Sequence, residues 1–216
     1  LRITGTFKPC SDCQTAKSKQ NAVTKESETG STIPGERLFI DTSSVKAKSF
    51  GNSRFWLLVV DDCTDVPWSA SLSKKSNQVD RMITLIKELA SKHKVSVKYI
   101  RCDNAGENGS LERECAKQGL GIQFEYTGPG TPRFNGRVKR KFATLYSKVR
   151  AVLNGAKLPT VKRKGLWTEA VRTATDLENI LVSARKPIAS YNAFFEKELP
   201  GLRNMRTFGE VAIVND

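Results

Sequence analysis

Two aspartates, a C-x-x-C pair and a run of cations are the parts of this sequence able to do chemistry. Asp41 interrupts the apolar run LFI-D, and Asp103 closes VKYIRCD, where a strand end commonly presents its side chains to a site. A single aspartate at a strand end is usually a turn or cap residue; two within one strand order say more. Cys10 and Cys13, in CSDC, have the spacing of half a tetrahedral zinc site. Between Arg133 and Arg172 stand twelve Lys or Arg and one acid, Glu169. That segment reads as a phosphate-seeking surface.

The whole chain supports such a surface. Its 216 residues, 38% of them hydrophobic, suffice for one sizeable core and a small appendage. The formal net charge of +14 favours a polyanionic partner. Nucleic acid, DNA or RNA, is the partner expected, with other proteins of a large nucleoprotein complex beside it. The longest apolar run, FWLLVV at 55–60, is far short of the roughly 20 residues a membrane helix needs, and no secretory segment opens the chain. No membrane partner is expected. Five cysteines scattered at 10, 13, 63, 102 and 115 do not form a secreted disulfide framework, which points to an intracellular setting, nuclear or organellar. The first residue is Leu1 rather than Met, as in a piece of something longer or a processed product.

The elements that must position these residues follow from periodicity. Residues 14–36 are polar without an apolar period and read as a linker. LFIDTSSV (38–45), RFWLLVVDD (54–62) and VPWSASL (66–72) are β-rich runs separated by turn residues, as in an antiparallel meander. Met82, Ile83, Leu85, Ile86 and Leu89 then recur at helical spacing after Ser76, a candidate N-cap. VKYIRCD (97–103) is a fourth strand, LERECAKQ (111–118) a short helix closed by Gly119, and IQFEY (122–126) a fifth strand. Beyond the loop GPGTPRFNG (128–136), Val138, Phe142, Leu145, Val149 and Val152 mark the apolar stripe of a long helix. A further helix is expected from about Leu166 to Ala184, and FGEVAIVND as a final strand. This order predicts an α/β fold with a five-stranded mixed sheet and flanking helices. Three parts are expected: an N-terminal C-x-x-C segment and linker (1–36), a core (37–156), and a helical extension with a final strand (157–216).

FIDTSSV, RCDNAGEN, GPGTPRFNGRVKRKF, GLWTEAVRTATDLEN and MRTFGEVAIV, in that order, resemble successive landmarks of the integrase of copia-type LTR retrotransposons, within the retroviral integrase superfamily. The resemblance runs from about Cys10 to the last residue and implies an RNase H-like catalytic core preceded by a remnant of a zinc-binding segment. It further implies an Asp on the first strand, an Asp after the fourth, and a Glu on the following helix 35 residues beyond the second Asp. Asp41 and Asp103 match. Position 139 is Lys139.

The departure bears on chemistry. Phosphoryl transfer on DNA by such a core uses two divalent cations, one at the attacking oxygen and one at the leaving oxygen. Mg²⁺ takes hard oxygen ligands, so the third carboxylate belongs to the coordination. An ammonium in its place removes an attraction and adds a repulsion, each about 4 kcal/mol per unit pair at 4 Å and an effective dielectric near 20. Asp41 and Asp103 are thus expected to hold Mg²⁺ weakly or not at all. Lys139 has three ways to sit there: swung into solvent, its place taken by Glu107 or Glu125, or in direct contact with phosphate. Glu107 matches a Glu already usual in the family's D-N-x-G-E segment.

Other departures add charge. Arg133 and Phe134 stand where the family usually has two glutamines before Asn-Gly, and Arg137 is a further cation. The expected nucleic-acid contacts are Arg133, Asn135, Arg137, Lys139, Arg140, Lys141, Lys148, Lys162, Arg163 and Lys164. The competing reading makes any one of them the solvated face of an amphipathic helix. The family's zinc site adds two upstream histidines to its C-x-x-C, whereas the single histidine here, His93, lies far downstream. Cys10 and Cys13 are either half of a site whose first half preceded Leu1 or two ordinary thiols, and this chain is expected to hold no Zn²⁺. Cys63, Cys102 and Cys115 read as core residues, as do Trp56, Trp68 and Trp167. DNAGENG lacks the G-x-x-x-x-G-K of a nucleoside-triphosphate loop.

Two functions remain open on these residues. One is an integrase-derived pseudoenzyme that binds nucleic acid or serves as a structural component of a larger complex. The other is an active Mg²⁺-dependent integrase joining element DNA to target DNA.

Overall fold

The computed structural model describes residues 30–127, 135–183, 186–197 and 206–210. The chain divides into two units, Leu1–Gly30 and Ser31–Asp216, and every described strand and helix belongs to the second. Cys10, Cys13, Arg133 and the expected final strand from residue 211 lie outside the described residues.

Five strands form one sheet: β1 (Arg37–Ser44), β2 (Phe55–Asp61), β3 (Pro67–Leu72), β4 (Tyr99–Asp103) and β5 (Gln123–Thr127). Their spatial order is β3-β2-β1-β4-β5. β1, β2 and β3 pair antiparallel as the expected meander, whereas β4 and β5 join β1 in parallel. Parallel neighbours need a crossover, and two helices supply it. Helix α1 (Gln78–His93) links β3 to β4, and α2 (Gly106–Lys117) links β4 to β5.

The alternation of side chains along each strand creates two cores. Leu38 and Ile40 of β1 join Leu57, Val59 and Ile100 under Met82, Ile86 and Leu89 of α1 and Leu111 of α2. Phe39 points the other way, with Trp56, Leu58 and Val60, toward α3 (Gly136–Gly155) and α5 (Trp167–Ile180). The predicted stripe Val138, Phe142, Leu145 and Val149 is buried there. Trp56, fully buried, meets the rings of Phe142 and Tyr146 edge-on at 5.1 and 4.7 Å. Trp167, Ala170, Val171 and Ala174 belong to the same cluster, so the helix of the expected extension packs on the sheet itself.

Several boundaries differ from those expected. α1 starts at Gln78 behind a 3₁₀ turn, Lys75–Asn77, and Asn77 rather than Ser76 is its N-cap residue. α2 begins at Gly106, five residues before Leu111, in a Gly-containing stretch whose low helix propensity concealed it. α5 stops at Ile180 because Leu181 is extended and Ser183 bridges to Lys186. Two six-residue helices, α4 (Thr160–Gly165) and α6 (Ser190–Phe195), are too short to leave a periodic signal. Gly35 precedes β1 at φ +78°, where an added Cβ would fall 2.1 Å from Val95; no residue with a side chain fits.

Acids from outside the cationic segment fasten α3 to the sheet. Lys141 is only 7% exposed and pairs with Asp65, in the β2–β3 turn, and with Glu178 of α5 at 2.8 Å. Lys148 donates to the other oxygen of Glu178 at 2.6 Å. Burial opposes ionisation of Glu178, but these two lysines outweigh it and hold its carboxyl below the ordinary value. The expectation that Lys141 faces nucleic acid is corrected here: its ammonium is spent on two carboxylates inside the fold. Lys141→Ala, which leaves Lys148 as the partner of Glu178, is expected to lower unfolding stability by about 2–3 kcal/mol. A depressed carboxyl contributes stability above its unfolded pKa and loses it as pH falls through the folded one. The gap between wild type and Lys141→Ala in urea denaturation should therefore narrow on acidification.

Candidate active site and cationic surface

Parallel pairing sets the two aspartates. Phe39 of β1 lies beside Arg101 of β4, and Asp41 and Asp103 are each two residues further along. They therefore stand side by side on the face covered by α3. Burial raises the pKa of Asp41, and the neighbouring Asp103 raises it further, while Lys139 and Lys75 pull it back.

Asp103 is held by a relay that sequence reading missed. Its Oδ1 accepts from Asn108 Nδ2 at 2.7 Å, and its carbonyl accepts from the same amide at 3.0 Å. Asn108 Oδ1 accepts from Gln78 Nε2 at 2.6 Å, and Gln78 Oε1 accepts from Thr42 Oγ1 at 2.7 Å. Gln78 and Asn108 are buried, so leaving either amide unpaired would be costly. The relay runs from the residue after Asp41, through the start of α1, to Asp103. Only the adjacency of Thr42 to Asp41 and of the NAGEN stretch to Asp103 hinted at it.

The third position is set from below. Buried Asn135, just before α3, donates to the Ile40 carbonyl at 3.1 Å. This anchors the helix next to Asp41, and Lys139 follows one turn later on the same side. Asn135 was expected to contact nucleic acid; its side chain is instead the pin between α3 and β1. Lys139 is exposed and acts on Asp41 through space, with no ion pair within 4 Å among the described residues.

The two substitute acids do not fill the gap. Glu125 is clasped by Arg37 at 3.1 Å and Arg101 at 2.8 Å. Glu107, in the first turn of α2, faces Lys75 at 3.8 Å. Among the described residues no three of His, Cys, Asp and Glu gather in a group able to hold a metal ion. One oxygen of Asp41 also accepts from the Thr42 amide at 2.9 Å. Two carboxylates, with the Lys139 charge acting on one, are fewer hard oxygen donors than a pair of divalent ions takes.

The cations divide into two sets. Arg137 pairs with Asp62 at 3.3 Å and Asp65 at 3.9 Å, while Lys141 and Lys148 are neutralised by Asp65 and Glu178. Arg137 and Lys148 keep partial exposure, 36% and 26%, so they are bridging rather than free cations. Lys139, Arg140, Arg150, Lys162 and Lys164 are exposed, and Arg163 is half-buried. His93 is exposed in the last turn of α1, its ring tilted against that of Phe195 with centroids 4.5 Å apart. No helix among the described residues is long and apolar enough to cross a membrane.

No family model matches the sequence. The chain is 33% identical over 177 residues to the retrovirus-related Pol polyprotein from transposon TNT 1-94 of Nicotiana tabacum, covering 81% of this chain. It is 28% identical over 206 residues to that from transposon RE1 and 27% over 203 residues to that from RE2, both of Arabidopsis thaliana, covering 94% and 93% of this chain. In each case the match spans 13% of the polyprotein. Among solved structures, a simian T-cell lymphotropic virus intasome in complex with PP2A regulatory subunit B56 gamma matches with a TM-score of 0.65 at 17% identity. That match covers 88% of this chain and 65% of the other.

Asp41 should titrate above the ordinary aspartate range, with Lys139→Gln moving it higher still, because a cation that favours the carboxylate is lost. Carboxyl carbon NMR across an acid titration would read both shifts. With its folded pKa raised, Asp41 contributes most to stability below its unfolded pKa, and that contribution is lost as pH rises through the folded value. Asp41→Asn should therefore raise the melting temperature at neutral pH and have little effect in acid.

Proposed function

The chain is an integrase-like domain homologous to a segment of the Pol polyproteins of copia-type retrotransposons, and from that premise we propose that it is a catalytically silent derivative that binds nucleic acid. One observation carries this reading. The helix that would bring a third carboxylate to Asp41 and Asp103 brings the Lys139 ammonium instead, and the neighbouring glutamates are committed to other cations. Mg²⁺ at the two aspartates would be weakly held, and no step of chemistry is assigned to it.

The same change favours binding. Two carboxylates without a cation repel phosphate, whereas Lys139 and Lys75 offset the charge of Asp41. Lys139, Arg140, Lys162 and Lys164 are exposed cations with no acid paired to them among the described residues, suited to backbone phosphates rather than to base edges. Arg133, beside the start of α3 in sequence, is assigned to the same surface. The partners proposed are nucleic acid and the other proteins of a nucleoprotein assembly, in a nuclear or organellar compartment. Because the chain spans 13% of its curated relatives, activities of a whole polyprotein are not carried over to it.

The decisive assay is strand transfer on branched DNA in Mg²⁺ and in Mn²⁺. The chain as it stands should be inactive, Lys139→Glu should gain activity, and Asp103→Asn in that background should abolish it. Activity of the unaltered chain, lost in Asp103→Asn, would overturn the silent reading. Nucleic-acid affinity should fall steeply with salt, with a slope that counts the phosphates contacted; a flat response would sink the binding half of the proposal.

A further inference from the structure

A second cationic feature lies at the far end of α3 from the aspartates. A cavity of about 360 Å³ opens between α3, α4 and the start of α5, with Ala47 and Leu153 as apolar lining and Arg150, Arg163 and Lys164 as its cations. No acid lines it among the described residues. The β1–β2 loop helps to shape it: Phe50 donates its amide to the Gly165 carbonyl at 2.9 Å, and its ring crowds Gly165 so closely that a Cβ there would meet it at 2.6 Å. α4, a short helix with three successive cations, is thereby fixed rather than loose.

Two residues of this lining carry buried N–H groups without a partner. Trp167, 4% exposed, has a buried indole Nε1 with no hydrogen-bond partner among the described residues, and the same holds for Arg163 Nε. The outer nitrogens of Arg163 are already placed, donating to Asn154 Oδ1 at 3.1 Å and Thr160 Oγ1 at 3.2 Å. A buried donor without an acceptor costs free energy, and native structures seldom leave one so. Three cations and no acid along the lining call for a ligand carrying negative charge. The apolar lining calls for carbon beside that charge. A sugar–phosphate unit meets both demands.

We infer that this cavity, walled by Arg150, Arg163, Lys164 and Trp167, is a seat for a backbone phosphate of bound nucleic acid, with its sugar against Ala47 and Leu153. The inference rests on the nucleic-acid reading above and adds a second anchor to it. Lys139 and Arg150 are eleven positions apart on one helix, about 16 Å at 1.5 Å per residue. A nucleic-acid backbone running along the helix covers that span in a few nucleotides. A strand lying along α3 can thus meet the exposed Lys139–Arg140 end and the cavity together. An acidic peptide would satisfy the cavity alone and has no reason to follow the helix.

The test uses the full chain and a fluorescently labelled oligonucleotide, with anisotropy read across a salt series. Arg150→Gln with Lys164→Gln should weaken binding about tenfold and lower the salt slope by about two. Ala47→Phe, which fills the cavity without altering charge, should weaken binding and leave the slope less changed. The indole proton resonance of Trp167, identified through Trp167→Phe, should shift when the oligonucleotide is added to the unaltered chain. The shift itself is read on the unaltered chain. If Lys139→Gln with Arg140→Gln weakens binding while the cavity variants and the indole resonance are unaffected, the cavity inference falls and nucleic-acid binding stands. If the unaltered chain binds no oligonucleotide, both fall. An indole shift produced by poly-glutamate and not by the oligonucleotide overturns the phosphate assignment in favour of an acidic peptide.

Discussion

Helix α3 lies across β1 and β2 because its apolar stripe is buried only there, and that contact decides what each of its cations meets. With Val138, Phe142, Leu145 and Val149 on Trp56, Leu58 and Phe39, Lys141 is forced inward, Arg137 leans over the Phe39 ring, and Lys139 is left beside Asp41. Asn135 fixes the axial position through the Ile40 carbonyl. A slip of α3 by one residue would break that bond, separate Lys141 from Asp65 and Glu178, and take Lys139 away from the aspartates. The position of Lys139 is thus a packing result rather than a local one.

The sheet imposes the other half of the site. Parallel pairing of β1 with β4 brings together two carboxylates that repel each other, and the Thr42–Gln78–Asn108 relay keeps Asp103 oriented in spite of that repulsion. Such an arrangement costs folding stability and suits a cation-binding centre. The Lys139 charge, acting on Asp41 through space, partly offsets that cost.

The cationic surface is smaller than a count along the chain suggests. Arg137, Lys141 and Lys148 are matched by Asp62, Asp65 and Glu178, all outside the dense basic stretch from Arg133 to Lys164. What remains exposed falls at the two ends of α3: Lys139 and Arg140 near the aspartates, and Arg150 with α4 around the cavity. Two separated anchors resist rotation of a bound strand better than a diffuse patch, because each fixes a different phosphate.

The sequence alone determined the five strands and the longer helices, since periods of two and 3.6 are written locally in residues such as Leu38, Ile40 and the stripe from Val138 to Val149. It also carried the resemblance through spaced landmarks that no single element could imitate. It could not show that Asn135 is a pin, that Lys141 is buried, that Gln78 and Asn108 support Asp103, or that Trp167 lines a cavity with Arg150 and Lys164. Each of those depends on partners distant along the chain, Ile40 for Asn135 and Asp65 for Lys141. Only tertiary packing chooses among the many acids and carbonyls within reach of a long side chain, because the choice rests on which faces are dry and which charges are left without water.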